Sequence, residues 1–317
     1  MQKIIEEICG EFTDSKILSV AALGDGHIND TFLAVCGDGK YVCQRMRRGI
    51  DIAGLEHNFL LYSPVFKKHE WLYPEWVRNR EGQYFYCDGD NGVYRVYPYI
   101  EGDILNAPLS GESAYACGRG LAKLHGLLKL IPGKPRAVYP YLHDLKHYHE
   151  AYKSICAASA SGAGRDSLLE RTIEMRAGRI MQTEQSCRDV IHGDAKLSNL
   201  LFKGDEAAGC LDMDTVMKGS AVLELADCIR SCCISEGMID RNGAERLTQG
   251  YLSVADGRQA EKIRQGLPLA LERICFELGL RYYTDSLSPV PYFKEKYEGY
   301  RLDRARELLA VSWDDFC

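Results

Sequence analysis

Val190-Ile191-His192-Gly193-Asp194-Ala195-Lys196-Leu197-Ser198-Asn199-Leu200-Leu201-Phe202 decides the fold. Its form is H-x-D, four residues, Asn, then an apolar run, so a polar loop is held between two short strands. Thirteen residues past Asn199 comes Cys210-Leu211-Asp212-Met213-Asp214, an apolar approach ending in an acid. A lone H-x-D is often a turn, and Leu211-Asp212 alone could be a strand end with an acidic cap. In this order and at these separations, chance is a poor account.

The spacing matches the catalytic loop of protein kinases, in which the Asp meets the acceptor hydroxyl and the Asn binds magnesium. Asp194 then takes the first role and Asn199 the second, with Asp212 as the second metal ligand and Asp214 as a support or a substrate contact. Lys196 could stabilise charge on the transferred group. ATP's triphosphate needs hard cations, here Mg2+, and hard cations need carboxylate and amide oxygens.

Upstream of the loop the pattern is extended. Residues 16–23, 31–35, 41–46, 83–87 and 92–99 suit about five antiparallel strands, with a helix at 54–66 that runs at least to Pro64. From Glu112 onward apolar residues recur every three or four positions, and helices are expected at 112–130, 145–159, 166–185, 221–235, 241–254, 258–286 and 301–311. The fold class expected is α+β and bilobal, protein-kinase-like, with a small antiparallel β lobe (1–100) for the nucleotide and a larger helical lobe (101–317) for catalysis and substrate.

The β half supplies matching parts. Gly24-Asp25-Gly26-His27-Ile28-Asn29-Asp30-Thr31 sits between two strands, where a loop covering phosphates belongs. It keeps two glycines of G-x-G-x-x-G and has Asn29 at the third place; a tight hairpin would explain it as well. Gly24, Gly26, His27, Asn29 and Thr31 are the candidate nucleotide contacts there. The strand at 41–46 has no lysine to reach the phosphates, so Arg45 is the expected substitute, with Glu56 on the following helix as its partner. The short connection 97–103 would act as a hinge, with Tyr97 and Tyr99 at the adenine. No G-x-x-x-x-G-K-[ST] occurs, which disfavours a P-loop enzyme.

The set resembles the aminoglycoside phosphotransferase family of kinase-like small-molecule kinases, and within it the N-acetylhexosamine 1-kinase branch. The matching segments are 26–32, Gln44-Arg45, Tyr94-Arg95-Val96-Tyr97 with Ile100-Glu101-Gly102, 211–217, 277–285, Tyr292-Phe293-Lys294 and 302–306, nearly the whole chain. The resemblance implies an ATP- and magnesium-dependent kinase acting on a sugar hydroxyl, most closely the anomeric one of an N-acetylhexosamine. Two departures bear on the acceptor. Gly193 stands where the branch carries Asn, and Glu224-Leu225-Ala226-Asp227, followed by Arg230, replaces its Asp-Phe-Gly-Asp. Arg281 is a substrate candidate, although Glu277 four residues earlier suits an ordinary intrahelical ion pair. His143-Asp144 falls where the branch has a similar pair, and a surface turn explains it too. A same-fold kinase of an aminoglycoside or choline-like alcohol stays open, as does a non-catalytic binding module.

Composition sets the outer bounds. The 317 residues are 46% apolar and 26% charged, an ordinary globular balance with ample material for a core. A formal charge of −6 lacks the basic footprint of a nucleic-acid binder. No apolar run nears the roughly 18 residues needed to span a bilayer. The thirteen cysteines include no C-x-x-C pair, so no zinc site of the usual spacing is expected, and reduced thiols in the cytoplasm fit best.

Overall fold

The computed structural model describes residues 2–24, 29–89, 92–107, 109–158, 164–182 and 189–311. A five-stranded antiparallel sheet carries the first part: β1 (Ile17–Ala22), β2 (Asp30–Cys36), β3 (Gly39–Arg45), β4 (Tyr86–Cys87) and β5 (Val93–Pro98), in the order β1-β2-β3-β5-β4. Side chains alternate across a strand. Cys43, Tyr94 and Val96 face one side, where they pack on Ile5, Ile8, Cys9 and Phe12. Val42, Met46 and Tyr97 face the other and join the main core.

The helix that supplies Ile5, Ile8 and Cys9, α1 (Gln2–Gly10), is absent from the sequence expectation. Its buried positions fall at one helical face, and Phe12 just beyond extends the stripe. The next helix, α2 (Ile52–Lys68), starts where the Asp51 carboxylate accepts the Gly54 amide at 2.9 Å. It continues through Pro64, which forfeits only the bond to the carbonyl four residues back.

Helices build the rest: α3 (Gly111–Leu128), α4 (Leu145–Ala158), α5 (Ser167–Met181), α6 (Ala221–Cys233), α7 (Arg241–Leu252), α8 (Gly257–Ser286) and α9 (Tyr300–Ala310). Four short strands, β6 (Asp189–Ile191), β7 (Leu200–Lys203), β8 (Glu206–Cys210) and β9 (Met217–Gly219), pair as β6 with β9 and β7 with β8. A small hairpin, β10 (Ile234–Ser235) with β11 (Met238–Ile239), follows α6. The bilobal α+β class is therefore correct. α3 and α7 pack closely because Gly118 and Gly250 lack side chains: a Cβ would sit 1.9 Å from the Leu247 carbonyl oxygen and 2.0 Å from that of Tyr115.

Three ties join the sheet to the helical part. Leu72, just after α2, exchanges backbone hydrogen bonds with Ala208 and Cys210 at 2.9 Å each, and Asp103 does the same with Phe202. Asn58, the buried polar residue of α2, donates to the Val216 carbonyl at 3.1 Å and to the Arg136 carbonyl at 2.9 Å. The β7–β8 hairpin and the turn after β8 are thus fixed to α2 and to the segments that follow α2 and β5.

Candidate active site

The catalytic-loop residues converge because the backbone around them is pinned. His192 is fully buried, accepts the Asp194 amide on Nδ1 at 3.3 Å and donates Nε2–H to the Leu211 carbonyl at 2.7 Å. Next to it Gly193 has φ +89°, and a Cβ there would lie 2.3 Å from the Thr215 carbonyl oxygen. Asn tolerates positive φ better than most residues, but this carbonyl leaves no room for any side chain. That contact accounts for Gly at this position.

Glu224, on the first turn of α6, accepts both the His192 amide at 2.9 Å and the Gly193 amide. Its other partner is His125 of α3 at 2.7 Å, whose second ring nitrogen meets the Tyr251 hydroxyl at 2.6 Å. Burial would raise the Glu224 carboxyl, but His125, with the charge and backbone amide of His192, outweighs it and holds it below the ordinary carboxylate range.

Asp194, Asn199 and Asp212 come together as the spacing predicts. The Lys196 ammonium lies 2.6 Å from the Asp194 carboxylate. Asn199 donates Nδ2–H to the Asp194 carbonyl at 2.8 Å and to its carboxylate at 3.2 Å, leaving Oδ1 turned away from those contacts. A backbone bond from the Leu211 amide to the Asn199 carbonyl, 2.8 Å, seats Asp212 beside Asn199. Asp212 adopts a left-handed conformation (φ 54°, ψ 52°), and none of the described residues hydrogen-bonds its carboxylate. Burial, followed by the charges of Asp214 and Asp194, pushes its pKa up to about 6. An amide oxygen and a carboxylate free of hydrogen bonds make a hard donor set of the kind Mg2+ takes.

The β3 cation departs from expectation. Arg45 lies opposite Tyr94, on the face of β3 that carries Cys43 and turns toward α1. One residue earlier, Gln44 faces inward, and the cation beside it comes from β5. Arg95, 2% exposed, clamps Asp214 through two bonds at 2.6 and 3.0 Å and donates twice to the Gln44 side-chain oxygen. Its guanidinium lies 4.8 Å from the centroid of Trp76. Glu56 makes no ion pair with Arg45 among the described residues; Asn58 is the α2 residue that docks on the helical part. Asp214 is thus committed to Arg95 rather than open to a substrate. The sequence carried a signal for this, a lone Arg among the aromatic and branched residues of Tyr94-Arg95-Val96-Tyr97.

The remaining candidates fall around this cluster. Asn29 is buried, donates to Asp214 at 3.4 Å and accepts the Arg47 amide at 3.0 Å. Thr31 accepts from Gln44 at 3.2 Å. Gly24 has φ +71°, while Gly26 and His27 lie outside the described residues. Tyr97 is buried on the inner sheet face, and the Tyr99 amide donates to the Lys40 carbonyl at 2.8 Å. Arg281 does not pair with Glu277. Its guanidinium sits between Tyr148 (4.8 Å) and Phe293 (5.4 Å). Glu277 instead meets His143 Nδ1 at 3.2 Å, and His143 Nε2 reaches the Gly193 carbonyl at 3.0 Å. Burial would lower His143, yet Glu277, then the Asp227 charge and the Gly193 contact, raise it to about 9. Across the cleft, Arg47 lies 5.7 Å from the ring of Tyr292.

The sequence profile of the phosphotransferase enzyme family matches residues 19–261. The chain belongs to this family. Curated homoserine kinases are similar to it: that of Methylobacterium radiotolerans is 23% identical over 292 residues, spanning 89% of this chain and 84% of that protein. The Methylobacterium nodulans homoserine kinase is 24% identical over 280 residues, 86% and 80% of the two chains. Among solved structures, the amicoumacin kinase hAmiN has a TM-score of 0.69 at 13% identity, covering 97% of this chain and 92% of that one. A microcompartment-associated aminopropanol kinase has a TM-score of 0.69 at 17% identity, covering 97% and 94%. At these identities the solved structures speak for the fold alone. As a member of the family, the chain is a small-molecule kinase, and no helix among its described residues is long and apolar enough to cross a membrane.

Proposed function

We propose that this kinase transfers the γ-phosphoryl group of ATP to the anomeric hydroxyl of an N-acetylhexosamine. The phosphoryl-transfer part rests on one observation: the Asn199 side-chain oxygen and the unpartnered Asp212 carboxylate are seated together beside Asp194 by the Leu211–Asn199 backbone bond. A magnesium ion bound by these two residues would neutralise phosphate charge. Residues 1–100 would carry the nucleotide and 101–317 the acceptor.

In this reading Asp194 orients the acceptor hydroxyl and accepts its proton. Lys196, 2.6 Å from the Asp194 carboxylate, keeps it aligned before the acceptor arrives, then faces the transferring phosphoryl oxygens. His192 and Glu224 hold the loop backbone so that Asp194 needs no rearrangement, which is how positioning lowers such a barrier. Arg95 holds Asp214, and so fixes the turn that presents Asp212.

The acceptor follows from charge and shape. Acids near the cleft are already matched: Asp227 to Arg230 at 2.7 Å, and Glu277 to His143. Such a floor offers little to a polycationic aminoglycoside and suits a neutral acceptor. Tyr148 and Phe293, flanking Arg281, add an apolar wall with a hydrogen-bond donor in it, the pairing a sugar with an acetamido group uses. The homoserine kinase relatives favour a second reading, in which Arg281 takes the carboxylate of an amino-acid alcohol.

A panel of N-acetylhexosamines, their methyl glycosides, homoserine and kanamycin, each with ATP and magnesium, separates these readings. The sugar reading expects turnover of the free N-acetylhexosamine, an acid-labile phosphate product and no reaction of the methyl glycoside. Turnover of homoserine alone, or phosphorylation of the methyl glycoside, would overturn it.

A further inference from the structure

Outside the cleft, three thiols from two helices meet in the core of the helical part. Cys117 of α3 and Cys228 and Cys232 of α6 place their sulfur atoms within 4.8 Å of one another, with Cys117 and Cys228 at 3.6 Å. All three are buried, Cys232 alone keeping 5% exposure. In sequence Cys117 is remote from the other two, so no spacing motif announces the group.

We propose that Cys117, Cys228 and Cys232 form a binding site for one soft divalent ion of the zinc group, separate from the magnesium site. The dimensions fit: a metal–sulfur bond of about 2.3 Å requires sulfur atoms roughly 3.8–4.0 Å apart in tetrahedral or trigonal geometry. The span of the cluster brackets that separation, so small side-chain rotations suffice. Thiolates select such ions and reject magnesium, which takes oxygen ligands. On binding, three metal–sulfur bonds form and the thiol protons leave to solvent; no oxidant or reductant takes part. An exogenous ligand entering past Cys232 can supply a fourth bond.

Beside the cluster, the Ser231 hydroxyl lies 3.7 Å from the Cys232 sulfur. Ser231 also accepts the Leu197 amide at 3.1 Å, so the site adjoins the loop that carries Asp194 and Asn199.

The test is an anaerobic titration of the reduced full chain with Cd2+ in excess Mg2+, followed by the thiolate-to-cadmium ultraviolet band. The parent is Cys87→Ala, which removes an exposed thiol. One tight equivalent per chain is expected, unchanged by Cys275→Ala, a buried cysteine outside the cluster. Cys232→Ala should weaken it on the order of a hundredfold or more. Circular dichroism checks the fold of each variant, and Cys232, at the rim, is the substitution best tolerated should Cys117→Ala fail to fold. Absence of a tight equivalent in the parent, or unchanged affinity in folded Cys232→Ala, would overturn the assignment.

Discussion

Substituting Arg95 by Met tests how the turn carrying Asp212 is held. Met keeps much of the side-chain length and removes the charge. Asp214, 2% exposed, would lose its contacts at 2.6 and 3.0 Å and retain only the Asn29 amide at 3.4 Å. Removing one partner of a buried pair costs about 3–5 kcal/mol, because the remaining charge stays desolvated. That is a large share of the roughly 5–15 kcal/mol by which domains are stable. Asp214→Leu should cost a similar amount for the mirror reason, since Gln44 alone cannot satisfy Arg95. The double variant replaces both charges by apolar groups and should lose no more than about half the sum of the singles. Urea unfolding of the four proteins gives the coupling directly. The same cycle on Arg45→Ala and Glu56→Ala should be additive within about 0.5 kcal/mol, as the two residues do not meet. Additive losses at Arg95 and Asp214, or coupling between Arg45 and Glu56, would refute the assignment of the inner-face cation.

Further outcomes follow from the same geometry. Gly193→Ala forces a Cβ against the Thr215 carbonyl at a positive φ, so it should destabilise the fold by about 1–3 kcal/mol and depress turnover, read by thermal unfolding and initial rates. His143, raised to about 9, contributes stability that is complete below the ordinary histidine value near 6.5 and is lost as pH rises through 9. Wild type should therefore lose stability between pH 7 and 10 more steeply than His143→Gln, measured by urea midpoints across that range. Asp212→Ala should abolish magnesium-dependent nucleotide binding while Asp214→Asn weakens it less, by calorimetry with and without the ion; the reverse order would move the ligand to Asp214.

The architecture was largely legible because periodicity is local. Strand and helix patterns of 2 and 3.6 residues located the sheet and seven helices of the helical part within a few residues. The α1 stripe of Ile5, Ile8, Cys9 and Phe12 carried the same signal, but what buries it is a distant partner, the sheet face of Cys43, Tyr94 and Val96. The loop motif brought Asp194, Asn199 and Asp212 together for a similar reason, since their separations are short and fixed by one hairpin. Long-range partners were not legible. Whether Gln44 or Arg45 faces the cleft depends on strand parity, where one residue reverses the face. The partner of Glu277 was decided by the turn that places His143 beside Gly193, not by the helical spacing to Arg281. The three-thiol cluster depends on how α3 packs against α6, which no sequence interval records.

The central claim is that Asp194 acts on the acceptor hydroxyl and not on the nucleotide. Single-turnover phosphoryl transfer by Asp194→Asn, measured beside magnesium-ATP affinity of the same protein, tests it most directly. The substitution keeps size and polarity but removes the proton acceptor, so transfer to the N-acetylhexosamine should fall by roughly 10²–10⁴-fold. The ATP dissociation constant should stay within about threefold, since Asn199 and Asp212 are untouched. A transfer rate near that of wild type, or a loss of ATP affinity matching the loss of rate, would contradict the account.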